Sequence, residues 1–218
     1  MDYKQLDPLT LGERETYKLL IGCVVPRPIA WVSTLDLAGV RNLAPFSFFN
    51  AIGSNPPALS ISVGYVDGLD QRKDTLRNIS DTGEFVVNIV DEDMAKAMNA
   101  TAASYPPSID EFEIAGLAAV PCATVRPARV AGAPVSLECK LFTLVPVGEG
   151  PGSATLVIGV IQMMHIRSDI IDERYRVDIT KLRPIARLAG AGYAYVHDTF
   201  DMVRPVYDKA TGKVEPPR

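Results

Sequence analysis

The sequence predicts a mainly β protein with flanking helices, its strands closing toward a barrel and not a parallel βαβ sheet. Three observations carry that expectation. Runs rich in aromatic and β-branched residues recur through residues 29–166, with few helical stretches between them. Residues 134–147 alternate, with Val135, Leu137, Cys139 and Leu141 on one face and Ser136, Glu138 and Lys140 on the other. The glycine-rich segment 148–152 then leads directly into another long apolar strand at 155–166, interrupted by Gly159, with no helix between.

Taken in order, residues 1–16 are polar with one proline and form an arm or a short approach helix. Residues 17–25 suit a short helix leading to the first strand, 29–34 (IAWVST). Asp36 and Gly39 turn the chain at 35–39, and 40–43 lead back. Residues 44–50 break the pattern, with Pro45, Ser47 and Asn50 among three phenylalanines. Ser33, Thr34, Asn42, Ser47 and Asn50 thus sit in or beside one hairpin. Apolar walls with hydroxyls and amides between them suit a flat amphipathic ligand.

Asn55-Pro56-Pro57 forces an extended turn before a strand at 59–63. Residues 65–71 form a loop, and Arg72-Lys73-Asp74-Thr75 opens a helix with Asp74 as N-cap and Gly83 just past its end. A helix start beside Lys73 and the Thr75 hydroxyl is either a phosphate site or simply a cap. A buried strand follows at 85–90, then a helix capped by Asp91 and running to about Thr101, whose Met94 and Met98 fill core. Ser108-x-x-Glu111 is a capping box for one helical turn in which Phe112 can be a core residue. Residues 123–130 are extended, with Pro127 at an edge or bend. Residues 168–178 are charged, and 205–218 are expected to be disordered.

Composition limits the function. A chain of 218 residues, 47% hydrophobic and 22% charged, fits one domain that needs no disulfide or metal staple. A net charge of −4 disfavours a general nucleic-acid binder. Cys23, Cys122 and Cys139 form no C-x-x-C and read as buried small hydrophobes in a reducing compartment. The first residues lack a signal peptide's basic start, and no apolar run nears the ~20 residues that span a bilayer. A cytoplasmic protein without membrane or nucleic-acid partners is expected. With only His165 and His197 present, a multi-histidine metal site is excluded. No G-x-G-x-x-G, P-loop, H-E-x-x-H or G-x-S-x-G occurs. Any nicotinamide nucleotide therefore binds without a Rossmann domain.

Four motifs appear in order: P-R-P-I-A-W-V-S-T, then G-x-x-N-x-A-P-F-S-F-F-N-A-x-x-x-N-P-P, then R-K-D-T-L-x-N-I, then G-E-F-V-V-N. Across residues 17–195 this set resembles the flavin reductase-like family, FMN-binding split-barrel proteins that include NAD(P)H:flavin oxidoreductases and flavoredoxins. The resemblance implies a split-barrel domain at 17–196 between the N-terminal arm and a polar tail at 197–218. It implies bound FMN, NADH or NADPH as a transient hydride donor, and a homodimer with the cofactor at the subunit interface. The acceptor would be free flavin, a quinone, a metal or a partner monooxygenase. An electron carrier that does not turn over NAD(P)H needs the same pocket.

The cofactor-binding positions that the resemblance implies are Arg27, Trp31, Val32, Ser33, Thr34, Asn42, Ala44, Pro45, Ser47, Phe48, Phe49, Asn50, Arg72, Lys73, Asp74 and Thr75. Lys73 and Thr75, with Ser33 or Thr34, would meet the phosphate. Backbone groups of 44–50 would meet the pyrimidine edge, and Phe48, Phe49 or Trp31 the dimethylbenzene end. Trp31 is equally a barrel-core residue, and Arg27, fixed between two prolines, meets a phosphate, a carboxylate or an ordinary ion-pair partner. His165 is a nicotinamide contact or a satisfied histidine. Arg187, Gly190 and Tyr193 approach the cofactor or the second subunit. No catalytic side chain and no metal is expected, because FMN itself carries the chemistry. The hairpin and the Lys73 turn are expected at opposite ends of that coenzyme.

Overall fold

The computed structural model describes residues 1–65, 72–209 and 212–215. Helix α1 (Glu13–Cys23) starts inside the expected arm, with Glu13 and Glu15 complementing the positive end of its dipole. It stops where Pro26 and Pro28 bar a further turn. Strands β1 (Ala30–Leu35), β2 (Arg41–Phe46), β3 (Phe49–Ser54) and β4 (Pro57–Gly64) follow, then α2 (Asp74–Thr82) and β5 (Glu84–Ile89). Of the loop expected at 65–71, only Tyr65 lies within the described residues. Short helices α3 (Ala95–Ala100) and α4 (Glu111–Ile114) precede the small pair β6 (Ala119–Val120) and β7 (Arg129–Val130). The long strands β8 (Val135–Val147) and β9 (Ala154–Ile166) lead to α5 (Ile179–Leu182), β10 (Ile185–Arg187) and β11 (Tyr193–Tyr195). A last pair, β12 (Val206–Asp208) and β13 (Lys213–Glu215), forms where disorder is expected from the sequence.

The main sheet has seven strands in the order β2-β1-β5-β8-β9-β4-β3, antiparallel throughout. Its two terminal strands, β2 and β3, are joined by Ser47 and Phe48 but do not pair with each other, so the sheet curls into a barrel that stays open between them. Residues 44–50 are therefore not the irregular loop read from the sequence. Pro45 pairs with Trp31 inside β2. Two residues earlier and in the same phase of the strand, the Leu43 N–H points outward, away from β1, to a side chain, which marks this as an edge where proline removes no ladder bond.

Inside the barrel, Val32, Phe46, Ile61, Phe85, Val87 and Val157 pack with Leu76 and Ile79 of α2. On the other face of β1 and β2, Trp31 and Leu43 pack with Met98, Phe112, Val130 and Ile185. Burial on both faces explains why β1 reads as a nearly continuous apolar run. Gly159 is no interruption of β9. A Cβ there would run into the Phe85 ring, so its missing side chain makes room for that buried ring.

Two caps differ from the sequence reading. Lys73, in extended conformation, is the N-cap of α2, and Asp74 is its first residue, paired with Arg77. At α4 the cap is Asp110, which accepts from Phe112 N–H at 2.9 Å, and not Ser108. Asp91 accepts from Met94 N–H as expected, but the helix beyond it is confined to α3. Of the three cysteines, Cys23 is exposed and Cys139 buried. Among the described residues, no helix is long and apolar enough to cross a membrane.

Candidate functional site

A cleft of ≈ 810 Å³ opens between β2, the start of α2 and residues 101–107, with Glu13, Tyr65, Glu111 and Gly152 also on its walls. That size is in the range of small-molecule sites. From β2 come Asn42, Ala44, Pro45 and Phe46; from the α2 approach come Arg72, Lys73, Asp74 and Thr75. The hairpin and the Lys73 turn thus share one cleft, but they touch each other and do not stand at its opposite ends. Lys73 Nζ lies 5.6 Å from the centre of the Phe46 ring, and Asn42 Nδ2 donates to Thr75 Oγ1 at 3.1 Å.

Lys73 carries the electrostatics. Burial pushes its pKa below the ordinary lysine value. Among the described residues no carboxylate comes within ion-pair distance of it, whereas Arg77 is held by Asp74, and Arg41 by Asp110 and Glu113. No side chain caps α2, so its leading N–H groups add to the same positive corner. Thr75 is buried and its oxygen already accepts from Asn42, which leaves its O–H to donate. An under-neutralised ammonium, a hydroxyl and helix N–H groups beside an apolar wall of Ala44, Pro45 and Phe46 fit an organic phosphate with a flat apolar body.

Other residues singled out in the sequence lie elsewhere. Trp31, Val32, Ser33 and Thr34 are fully enclosed and cannot reach the cleft. Trp31 Nε1 donates to Thr101 Oγ1 at 2.8 Å, and Val32 is barrel core. Ser33 donates to the Ala128 carbonyl, and Thr34 Oγ1 accepts from Asn78 Nδ2 at 3.1 Å. Arg27 is buried too: it donates to the carbonyls of Ile21, Val24 and Leu188 and, at 3.4 Å, to Ser47 Oγ. These bonds make it a tie between α1, the β2–β3 bend and the segment after β10, not a phosphate ligand.

Beyond that bend, Ser47, Phe48, Phe49 and Asn50 fall outside the cleft. Phe49 packs on the barrel core, while Phe48 and Asn50 are exposed. His165 pairs with buried Glu138 near the far end of β9 from Ala154, whose neighbours border the cleft. Eleven residues of strand separate His165 from Ala154, ~36 Å at ~3.3 Å each, so it is no partner of a ligand there. Arg187, Gly190 and Tyr193 cluster with one another. The Arg187 guanidinium lies 4.5 Å from the Tyr193 ring centre and donates to the Gly190 carbonyl.

Sequence reasoning missed Glu111 and the 101–105 wall as cleft residues. Glu111 had a signal, an acid in an apolar turn, but was read as half of a capping box. Glu13 and Gly152 left no signal, since only the fold brings them to the cleft.

The chain matches the model of the flavin reductase like domain over residues 21–186. The Halalkalibacterium halodurans protein BH2278, itself uncharacterized, is 42% identical over 204 residues, covering 92% of this chain and 96% of its own. Nitrilotriacetate monooxygenase component B from Bacillus cereus superposes with a TM-score of 0.88 at 36% identity, over 93% of this chain and 100% of that one. A split-barrel structure from Shewanella frigidimarina, 19% identical, shares the fold with a TM-score of 0.80 over 94% of this chain and 99% of its own. The curled seven-stranded sheet is thus a split barrel, and the chain belongs to the flavin reductase-like domain family.

Proposed function

We propose that the protein is an FMN-dependent oxidoreductase that takes hydride from NADH or NADPH and passes electrons to a flavin or another small acceptor. The observation that carries this reading is the Lys73 ammonium, set on the cleft wall beside a helix N-terminus with no carboxylate to neutralise it among the described residues. Lys73, Thr75 and the first N–H groups of α2 hold the phosphate, and Asn42 orients the Thr75 hydroxyl. Ala44, Pro45 and Phe46 pack on the ring system, and Arg72 and Asp74 border the phosphate end. When bound, FMN supplies the hydride acceptor at its N5, so the chain need only place and enclose it. The nicotinamide nucleotide binds transiently over the flavin.

Similarity to a monooxygenase component B favours a reductase that serves a partner monooxygenase as its acceptor. A flavin electron carrier without NAD(P)H turnover is the competing reading. Reconstituting the protein with FMN and mixing it anaerobically with NADH and NADPH separately decides between them. Bleaching of the flavin band is expected with at least one donor. A holoprotein that stays yellow with both is a carrier, and a protein that binds no FMN rejects the reading altogether. A cytoplasmic homodimer completes the proposal. Three free cysteines support a reducing compartment, and exposed apolar side chains around the barrel support self-association.

A further inference from the structure

We propose that Asn78 and Thr34 are positioning residues for the phosphate corner: without touching the ligand, they fix the rotation of α2 that turns Lys73 and Thr75 into the cleft. The inference rests on the flavin reading above. Asn78 belongs to the R-K-D-T-L-x-N-I run, yet it lies inside the protein at 2% exposure, as Thr34 does at 1%. Asn78 Nδ2 donates to Thr34 Oγ1 at 3.1 Å, and Asn42 Nδ2 donates to Thr75 Oγ1 at 3.1 Å. Thr34 and Asn42 are cross-strand partners in β1 and β2. Thr75 and Asn78 stand at i and i+3 on α2, on one side of the helix. Two hydrogen bonds therefore run side by side from the hairpin to the helix, about one helical turn apart.

Holding α2 against the barrel does not require these bonds. Leu76 and Ile79, on the other half of the buried face, already sink into the barrel core. Apolar contact is non-directional, so it resists separation far better than it resists a small turn of the helix about its axis. Hydrogen bonds fix direction as well as distance. The Asn42–Thr75 bond alone would be a single pivot; the Thr34–Asn78 bond, one turn further on, removes the rotation about it. Nor is the pair the most stable filling of its space. Asn78 Oδ1 is buried with no hydrogen-bond partner among the described residues, a cost that an apolar pair of the same shape would avoid. What the amide supplies in return is orientation, and the groups it orients are those at the head of α2. There Lys73 and Thr75 border the cleft, beside leading N–H groups that no side chain caps. A ligand's phosphate depends on that orientation, whereas a flavin ring packed on Ala44, Pro45 and Phe46 does not.

The test compares FMN with riboflavin, which has the same ring system and no phosphate, on the full-length protein. Dissociation constants come from flavin fluorescence quenching, with melting temperature as the control for folding. The double variant Thr34→Val/Asn78→Leu replaces both partners by apolar groups of similar shape, so it should melt no lower than wild type. It is expected to bind FMN about three- to tenfold more weakly, the worth of one hydrogen bond, and riboflavin within about twofold of wild type. Thr34→Ser, which keeps the acceptor for Asn78, should bind both flavins as wild type does. A double variant with full FMN affinity, or with equal losses for both flavins, overturns the proposal and leaves the pair a packing bond. If the double variant does not fold, Thr34→Val alone decides by the same comparison. Failure of that variant to fold as well makes the pair a structural tie and also overturns the positioning role. A wild type that binds neither flavin rejects the flavin reading, and one that binds riboflavin as tightly as FMN rejects the phosphate corner; both outcomes are distinct from failure at Asn78.

Discussion

Arg27 and Lys73 look alike as isolated cations beside a break in the chain, and their partners give them opposite roles. Arg27 is saturated by backbone carbonyls; Lys73 faces the cleft. Lys73→Ala should lower FMN affinity about ten- to a hundredfold in a fluorescence titration while the melting temperature hardly moves. Arg27→Ala should do the reverse, costing at least about 2 kcal/mol in urea unfolding because several buried carbonyls lose their donor. Residue type announces donors and acceptors but not who answers them, and that is why Trp31, Ser33 and Thr34 could be drawn to the ligand from sequence alone. Glu138 makes the same point with pH. Burial would raise its carboxyl, but hydrogen bonds from Thr124, from the Ala123 N–H and from His165 outweigh that and bring it from 4.5 down to about 2. A depressed carboxyl stabilises the fold fully above its unfolded value, and that contribution fades as pH falls from about 4.5 toward 2. Glu138→Gln should therefore flatten the loss of stability in that window, read as urea midpoints at pH 6 and pH 3.

At the scale of elements, the strands were legible because their signals are local. The alternation in β8 and the apolar runs of β1, β5 and β9 are the pattern their burial requires. The straight passage of β2 through Pro45 was not legible, since only the fold shows that this N–H would face away from the sheet. The caps went astray for a related reason: Asp74 and Ser108 have the right chemistry, but Arg77 claims one, and Asp110, two residues later, displaces the other. Gly159 is the sharpest case, because its role depends on Phe85, far away in sequence and buried within the barrel. Its backbone has no positive φ, so Gly159→Ala costs stability through crowding and not through strain. The expected loss is about 1–3 kcal/mol in chemical unfolding, and a Phe85→Leu background should recover much of it by vacating the space. Equal losses in both backgrounds would show that the ring is not the obstacle.

For the whole molecule, the unresolved demand is the apolar surface left outside both cores. Ile52 on β3 is 51% exposed and Phe142 on β8 is 69% exposed, with Leu20 of α1 and Val24 just past its end also facing outward. A monomer with its barrel filled has no internal use for these side chains, and exposed apolar surface that forms a patch meets a partner. β3 is moreover a terminal strand of the sheet, exposed from Asn50 to its end, the sort of edge that a second copy can cover. The β2–β3 bend links this edge to the cleft wall, so an interface on β3 lies one turn of chain from the proposed flavin site. Light scattering at tens of micromolar should therefore give twice the chain mass. Ile52→Glu, which sets a charge in the covered surface without touching either core, should shift the population to monomer with little change in melting temperature. It should also weaken FMN, if the second subunit completes the pocket. A wild-type monomer that binds FMN as tightly as any dimer would sink this placement, and an Ile52→Glu monomer with undiminished affinity would confine the cofactor to a single chain.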